Sequence, residues 1–378
     1  MIDAIALHSP LTGIGRYTYE VSAQLQKSHH FELNYFYGYY SKKLLKASGK
    51  APKNSLIKNS LIKNSLIKNS LLKNPFIKKL AREVLHLVSR LSPSSFDLYW
   101  QPNFIPNSGV KTKKIVTSIH DFSFILYRDF HPKERVEYIE KYFFKNVGKS
   151  DMIITGSEYT KQEILKRLVF KEDKIQVIYH GINHELFRVY HDIKLDFELP
   201  SKYILSVGSI EPRKNLIGLL KAYNLLDKSL KQEYKLVLVG FKGWENQEIM
   251  ETIDENKENI YYLGFISDKE LAQVYNLATC FVFPSFYEGF GLPPLEAMAC
   301  GTPVISSNTS SLPEVGGDAV VYCNPHNTDD IKEKIEMLLT NKSVHEELIT
   351  KGLLQAKKFS WEKSAQEHLN LFDEVLKK

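Results

Sequence analysis

The chain has 378 residues, which is more than one ordinary core accommodates and fits two domains of about 150 to 200 residues each. Hydrophobic residues make up 43% and charged residues 25%, which excludes a chain that is disordered throughout. The net charge of +6 is compatible with phosphate-bearing ligands or anionic membranes, but it is too small to predict a nucleic-acid partner.

The sequence favours an intracellular protein. Its three cysteines show no metal-ligand spacing and are too few for a disulfide framework, which indicates core residues in a reducing compartment. No stretch approaches the ~18 consecutive apolar residues of a membrane helix, and no basic-then-apolar leader opens the chain. We therefore expect a cytoplasmic location. The alternative is a cytoplasmic protein with peripheral contact to the inner membrane.

The first predicted elements are a strand, a glycine turn and a helix. Residues 2–7 resemble the end of a buried strand, Gly13-Ile14-Gly15 the turn, and residues 16–26 the helix. The strand is shorter than the usual five or six residues. A misplaced start codon or a shortened edge strand would each explain its length.

Residues 53–79 contain a five-residue repeat, KNSLI, which starts at Lys53 and degrades after its third copy. On a helix this period turns each Leu-Ile pair by about 140° and leaves no clean apolar face. Fewer than two turns of a pentapeptide solenoid could form. An insertion in a tolerant surface segment is the favoured interpretation, because insertions in exposed loops cost little. A loose contact of its lysines with an anionic membrane is the alternative.

Strands and helices alternate from residue 115 onward. In the first half, strands are predicted at 115–120, 152–157 and 175–182, and helices at 132–147 and 158–168. The polar run 184–200 interrupts the pattern. The alternation then resumes with strands at 203–209, 235–240, 260–265, 280–285 and 303–307 and helices at 216–226, 245–255, 268–278 and 294–300. This pattern predicts an α/β fold with two doubly wound parallel sheets facing a cleft.

The most informative segment, residues 288–304, reads EGFGLPPLEAMACGTPV. A glycine-containing loop follows a strand, and prolines then start a short helix that stops at Gly301. Backbone N–H groups at such a helix start can hold an anion or a sugar hydroxyl. Glu288 is a candidate partner for sugar hydroxyls and Glu296 for a ribose. An acidic capping pair is the alternative, which the glycines and prolines together disfavour.

This segment resembles the E-x7-E signature of the family 4 retaining glycosyltransferases, and the match continues into GTPVI. The resemblance implies the GT-B fold, in which two Rossmann-like domains face a cleft. It divides the chain into an acceptor-side domain (1–190, with the insertion at 53–79), a linker (191–200), a nucleotide-sugar-binding domain (201–358) and a C-terminal helix that crosses back (359–378). It also implies donor binding by Gly289, Phe290, Gly291, Leu292 and Glu296.

Residues 209–215, SIEPRKN, combine a strand end, a tight turn and a helix start. Arg213 offers a planar charged fork and Lys214 a mobile point charge, which suits a diphosphate that gains charge as a glycosidic bond breaks. Positive charge at a helix N-terminus is unfavourable, so a bound anion explains the pair better than a solvated helix start. The resemblance likewise implies that this pair grips the donor phosphates. We predict Ser209, Phe265 and Ile266 as further donor-binding residues.

Two features of the first half are weaker. The glycine turn alone is compatible with a plain turn, but the pattern IDA…GIGRY resembles the family, in which Gly13 and Gly15 let the backbone approach donor and acceptor. His120 follows a strand end, where α/β sheets place ligands, although a lone histidine is more often structural. The resemblance implies that His120 contacts the transferred sugar. The predicted catalytic residues are therefore His120, Arg213, Lys214 and Glu288.

A nucleotide sugar carries its own leaving group, so the protein has to stabilise a departing diphosphate and an oxocarbenium-like sugar. We expect no cofactor and no metal, with cations and loop amides in the metal's place. The resemblance alone implies retention of configuration. The stretches IHDFSF and FHPKERVEY are most similar to bacterial mannosyltransferases of O-antigen or capsule synthesis. This favours GDP-mannose as donor and a lipid-linked or oligosaccharide acceptor.

Other functions remain open at this point. The donor could be a UDP-sugar or a GDP-deoxymannose, and an epimerase or a phosphorylase could share the fold. A non-catalytic, membrane-associated binding protein is a different class. A protein of that class would be expected to lose at least one of the charged site residues, and the full set is present.

Overall fold

A computed structural model describes residues 1–8, 13–45, 95–244 and 246–378. The repeat at 53–79 lies outside the described residues, and so do the hypotheses attached to it. Within the described ranges, helices alternate with the strands of two sheets, one of seven strands and one of six.

The first sheet has the strand order β3-β2-β1-β4-β5-β6-β7. All neighbours pair in parallel except β2 and β3, which pair antiparallel. The strands are β1 (Ile2–Asp3), β2 (Tyr35–Phe36), β3 (Tyr40–Ser41), β4 (Phe96–Gln101), β5 (Thr112–Ile119), β6 (Met152–Thr155) and β7 (Ile175–Val177). Parallel neighbours require crossover connections, which explains the helices between the strands.

The helices of this half are α1 (Gly13–Ser28), α2 (Ser123–Leu126), α3 (Lys133–Val147) and α4 (Glu158–Arg167). The Ser157 side chain caps α4 by accepting a hydrogen bond from the Thr160 amide. One-turn 3-10 helices lie at Ile5–His8, Arg128–Phe130 and Glu172–Lys174.

The second sheet has the order β10-β9-β8-β11-β12-β13 and is parallel throughout. Its strands are β8 (Tyr203–Val207), β9 (Lys235–Val239), β10 (Ile260–Gly264), β11 (Cys280–Phe283), β12 (Val304–Ser307) and β13 (Val321–Cys323). Tyr203 and Leu205 pack in one hydrophobic cluster and Ile204 in another, so both faces of the sheet are covered. The predicted α/β class is confirmed.

The helices of the second half are α5 (Leu216–Asn224), α6 (Lys228–Glu233), α7 (Gln247–Glu255), α8 (Asp268–Leu277), α9 (Leu292–Ala299), α10 (Leu312–Gly316), α11 (Thr328–Thr340) and α12 (Lys342–Ala356). Ser267 and Glu270 form a capping box at the start of α8, each satisfying a backbone N–H of the other. A 3-10 turn, Pro212–Lys214, precedes α5.

The last helix, α13 (Trp361–Lys377), packs on the first half of the chain. Trp361 and Phe372 share a hydrophobic cluster with Ile2 and Tyr17, so the chain crosses back to the first sheet. Residues of the polar run, Leu186, Tyr190, Leu195, Phe197 and Leu199, pack against a cluster of the second sheet. The predicted domain boundaries at 190, 200 and 358 stay predictions.

Three local predictions were wrong. β1 lies between β2 and β4, so its shortness does not mark an edge strand. Gly13 and Gly15 belong to the first turn of α1 instead of a turn before it. The strand predicted at 175–182 ends at Val177, because the residues that follow turn toward α13, where Ile182 pairs with Ser360.

The described helices include none that is both long and apolar enough to cross a membrane.

Candidate active site

The candidate site lies at the carboxyl ends of β8 and β11, which are hydrogen-bonded neighbours. Loops that leave neighbouring parallel strands meet at one edge of the sheet. The Phe286 amide donates to the Arg213 carbonyl oxygen at 3.0 Å, which joins the two loops. Asn215, in the left-handed conformation with φ 54°, donates to the Pro284 and Pro325 carbonyl oxygens. This framework brings the predicted cations beside the first signature glutamate.

The Glu288 carboxylate bridges both predicted cations. Its Oε1 lies 2.7 Å from Lys214 Nζ and its Oε2 lies 2.9 Å from Arg213 Nη1. The three side chains are only 11 to 13% exposed. Burial alone would raise the pKa of Glu288, but the Arg213 and Lys214 cations outweigh burial and lower that pKa to about 2. Glu288 is therefore ionised at neutral pH.

Arg213 is held on several sides. Its Nη1 donates to the Tyr287 carbonyl oxygen at 2.6 Å, and its Nη2 donates to Glu211 Oε1 at 2.9 Å. Burial would lower the pKa of Arg213, but the charges of Glu288, Glu211 and Asp121 raise it above its ordinary value. Its Nε is buried and finds no hydrogen-bond partner among the described residues. A planar cation fixed in this way is suited to phosphate oxygens.

The Lys214 side chain is largely buried. Its side chain is 13% exposed, its methylenes lie against Gly208, and its ammonium stands 5.0 Å from the centre of the Phe283 ring. The anion inferred beside this helix start is, in the structure, the chain's own Glu288.

The glycine-containing loop brings the two halves of the chain into contact. A Cβ on Gly289 would lie 1.9 Å from the His120 carbonyl oxygen, so only glycine allows this approach. The Gly289 carbonyl oxygen accepts from Ser157 Oγ at 2.9 Å. The backbone N–H groups of Gly289 and Phe290 donate no hydrogen bond to any described residue.

The rest of this loop is packed. Phe290 is 5% exposed and lies 4.8 Å, between ring centres, from His180. Leu292 contacts hydrophobic clusters of both halves. The backbone at Gly291 has a positive φ of 123°, a conformation that favours glycine. Phe290 and Leu292 could therefore serve a donor only through their backbones.

His120 lies across the interface from Glu288, at the end of β5. It is buried, and its Nε2 lies 2.7 Å from the Pro102 carbonyl oxygen. A carbonyl oxygen only accepts, so Nε2 carries the proton. Burial lowers the pKa of His120, which makes the ring neutral and leaves Nδ1 as an acceptor.

Glu296 belongs to a second charged group. Its Oε2 accepts from the Tyr275 hydroxyl at 3.2 Å, and its Oε1 lies 3.9 Å from Arg16 Nη1. Arg16 also pairs with Asp268 at 2.7 Å. Burial raises the pKa of Glu296, and the Arg16 charge opposes that rise. The two signature glutamates thus lie in separate clusters.

The remaining predicted donor residues surround these clusters. Ser209 follows β8, while Phe265, which is 39% exposed, and Ile266 follow the edge strand β10. Gly13 and Gly15 start α1 next to Arg16, opposite Glu296. Among the described residues, no hydrogen bond or ion pair joins any of these five to Glu288, and their roles stay predictions.

Sequence reasoning missed several residues at the site. Glu211 and Asp121 stand inside quoted motifs, beside Arg213 and His120, and their acidity was the available signal. The Ser310 hydroxyl accepts from the Glu288 amide at 2.9 Å, and the Tyr287 hydroxyl accepts from the Phe122 amide at 3.1 Å. Neither contact has a signature in local sequence.

Comparison with solved structures identifies the fold. WaaG, a glycosyltransferase involved in lipopolysaccharide biosynthesis, matches with a TM-score of 0.66 at 15% identity over 98% of each chain. Sucrose-phosphate synthase from Thermosynechococcus elongatus matches with a TM-score of 0.61 at 22% identity, covering 83% of this chain and 80% of that one. The fold is the GT-B fold of two-domain glycosyltransferases.

Sequence comparison gives the family. The Glycosyltransferase Family 4 model matches residues 11–186, and the Glycosyl transferases group 1 model matches residues 191–355. O-antigen chain mannosyltransferase B of Escherichia coli is 37% identical over 286 residues, which are 73% of this chain and 74% of that protein. The serotype-specific mannosyltransferase WbdA of Escherichia coli is 33% identical over 79% of this chain, but the match spans 38% of its length. The chain belongs to the family 4 glycosyltransferases.

Proposed function

We propose that this glycosyltransferase moves a hexose, mannose from GDP-mannose, to a lipid-linked or oligosaccharide acceptor in cell-surface polysaccharide synthesis. The observation that carries the proposal is the buried Arg213–Lys214–Glu288 group, which faces His120 across the interface. The choice of mannose and of polysaccharide synthesis rests on the names of the sequence relatives.

The donor diphosphate would take the position of best charge complementarity, beside Arg213 and Lys214. Both cations are already paired with Glu288, so a phosphate there shares or replaces that carboxylate as their partner. The amides of Gly289 and Phe290 add two donors. Glu288, once released, can accept hydrogen bonds from the hydroxyls of the donor sugar.

Catalysis in this proposal depends on charge that develops as the sugar–phosphate bond breaks. The fixed cations stabilise the departing phosphate more than the bound donor, which lowers the barrier. The acceptor oxygen forms its bond to the anomeric carbon on the face that the phosphate leaves, and the phosphate oxygen takes the proton. Because the new bond forms on the face that the phosphate leaves, the anomeric configuration is retained. In this proposal His120 Nδ1 accepts a hydrogen bond from a hydroxyl of the transferred sugar.

We also propose that the reaction proceeds without a metal, because Arg213 and Lys214 supply the positive charge in a buried site. Donor and metal are tested together by titrating the protein calorimetrically with GDP, UDP and ADP and by repeating turnover in excess chelator. We expect GDP to bind most tightly and turnover to persist. Tighter binding of UDP contradicts the donor assignment, and a strict need for added magnesium or manganese contradicts the metal assignment.

A further inference from the structure

Asp121 is a charged residue that the proposed mechanism does not use. It directly follows His120, and a Cβ built on Gly289 would lie 3.0 Å from its own Cβ, so it stands against the donor loop. Its charge is among those that stabilise the buried Arg213 cation. Asp121 therefore faces the site from the first half of the chain, opposite Glu288.

One oxygen of the Asp121 carboxylate is fixed and the other is not. Oδ1 accepts from the Ser123 amide at 2.8 Å and from the Ser123 hydroxyl at 2.7 Å. Ser123 is 4% exposed, which makes this anchor rigid. Oδ2 accepts no hydrogen bond and joins no ion pair within the described part of the chain.

His131 extends this anchor. Because the Ser123 hydroxyl donates to Asp121, its oxygen accepts from His131 Nε2 at 3.0 Å. His131 Nδ1 is buried, and among the described residues it has no partner. Burial, with the nearby Arg135 charge, lowers the pKa of His131, so the ring is neutral at pH 7. The hydrogen bonds from His131 to Ser123 and from Ser123 to Asp121 thus fix one oxygen of the carboxylate.

The two acids of the site differ in their partners. Glu288 is neutralised by two cations, whereas Asp121, in the first half of the chain, keeps one oxygen without a partner among the described residues. We propose that Asp121 orients the attacking acceptor hydroxyl by accepting its hydrogen bond, with Ser123 and His131 as positioning residues. This inference rests on the proposed transferase function. The proton leaves with the phosphate oxygen, so Asp121 stays a carboxylate throughout.

The test compares transfer with hydrolysis, since water needs no orientation by an acceptor site. GDP-mannose serves as donor, and a panel of octyl glycosides serves as acceptors. Asp121→Asn should lower kcat/KM for the acceptor by about 10²-fold, a usual size when a reacting group is no longer held in position. Donor hydrolysis should fall far less, so the ratio of transfer to hydrolysis drops. Asp129→Asn removes an exposed acid eight residues on and is the matched control.

The positioning residues give an independent readout. Ser123→Ala should lower the same ratio about tenfold, because the carboxylate loses its anchor but remains. His131→Gln, which can still donate to Ser123, should retain more transfer than His131→Ala. Thermal unfolding checks that each variant is folded.

The possible outcomes distinguish a failure of the inference about Asp121 from a failure of the proposed function. An Asp121→Asn enzyme with a normal ratio, or one in which transfer, hydrolysis and GDP binding all fall together, overturns the inference about Asp121. A wild-type protein that neither binds GDP nor turns over GDP-mannose contradicts the proposed function itself.

Discussion

Lys214 has a largely buried ammonium that pairs with the Glu288 carboxylate, the group that we propose also contacts the donor sugar. A buried ion pair costs desolvation, which its mutual attraction and hydrogen bonds have to offset. The buried charges of Arg213, Lys214 and Glu288 therefore favour a ligand that is itself charged.

Lys214→Ala should lower turnover by about 10²-fold, because a cation that stabilises developing charge is lost. The protein should still fold, since Arg213 keeps Glu288 paired. Steady-state kinetics with GDP-mannose measures the effect. Lys221→Ala, an exposed lysine on α5, is the control. Turnover of Lys214→Ala within twofold of the control would remove Lys214 from the mechanism.

His368 makes stability depend on pH. Its Nδ1 donates to the Ser364 carbonyl oxygen, and its Nε2 accepts from the Tyr17 hydroxyl at 2.7 Å, so the native ring is neutral. Burial lowers the pKa of His368 from 6.5 to about 4. The unfolded chain therefore takes up a proton first as pH falls. Stability from this residue is complete above pH 6.5 and declines by about 3 kcal/mol toward pH 4.

Urea unfolding of wild type and His368→Gln between pH 7.5 and 5 tests this. The free energy of unfolding should fall more steeply with acid in the wild type, and His191→Gln, at an exposed histidine, should follow the wild type. Parallel curves for all three proteins would show that His368 does not titrate on unfolding.

At the scale of elements, the loop before α9 joins the two halves. Gly289→Ala would place a Cβ 1.9 Å from the His120 carbonyl oxygen and force the loop away from the first sheet. We expect transfer to fall by about 10²-fold through misplacement of the reacting groups. GDP affinity should fall less than transfer, since Arg213 and Lys214 stay in place and only the two loop amides move.

Steady-state kinetics gives the transfer rate and calorimetry gives the affinity for GDP, both on the same preparation of Gly289→Ala. Gly148→Ala is the control, because its Cβ meets only an ordinary contact at 3.5 Å. Unchanged transfer in Gly289→Ala would mean that this close approach is not needed for catalysis.

Elements with strong periodicity were predictable, and contacts between them were not. Strands such as β9, which is apolar after Lys235, and β11 are short apolar runs that alternate with helices, a pattern visible in sequence. The start of α1 was misjudged because two glycines suggested a turn. Pairing of Glu288 with Arg213 and Lys214 depends on β8 lying beside β11, and strand order is a property of the tertiary fold.

The separation of Glu288 from Glu296 shows the same limit. The signature spacing predicted both as donor contacts, and the structure puts one beside Arg213 and the other beside Arg16. The carboxyl end of a parallel sheet could be predicted to hold the site. The partners of each side chain could not, because they come from segments far away in sequence.

At the scale of the whole molecule, the hypotheses on the repeat at 53–79 are tested by its binding to membranes. Its insertion interpretation predicts equal, weak binding to anionic vesicles by the intact protein and by a version lacking residues 53–73. Co-sedimentation at low and high salt measures this. Stronger, salt-sensitive binding of the intact protein would instead support membrane contact through its lysines, at about 1 kcal/mol each.

The central claim, that the two halves together transfer a sugar from a nucleotide donor, is tested most directly by product analysis. The intact protein is incubated with GDP-mannose and the octyl glycoside panel, and the products are analysed by mass spectrometry and by the NMR coupling of the new anomeric centre. We predict a glycoside extended by one hexose with the donor's anomeric configuration, and no product from Glu288→Gln beyond a trace. An inverted linkage, an isomerised donor, or no change in any acceptor while GDP-mannose is bound would contradict the account.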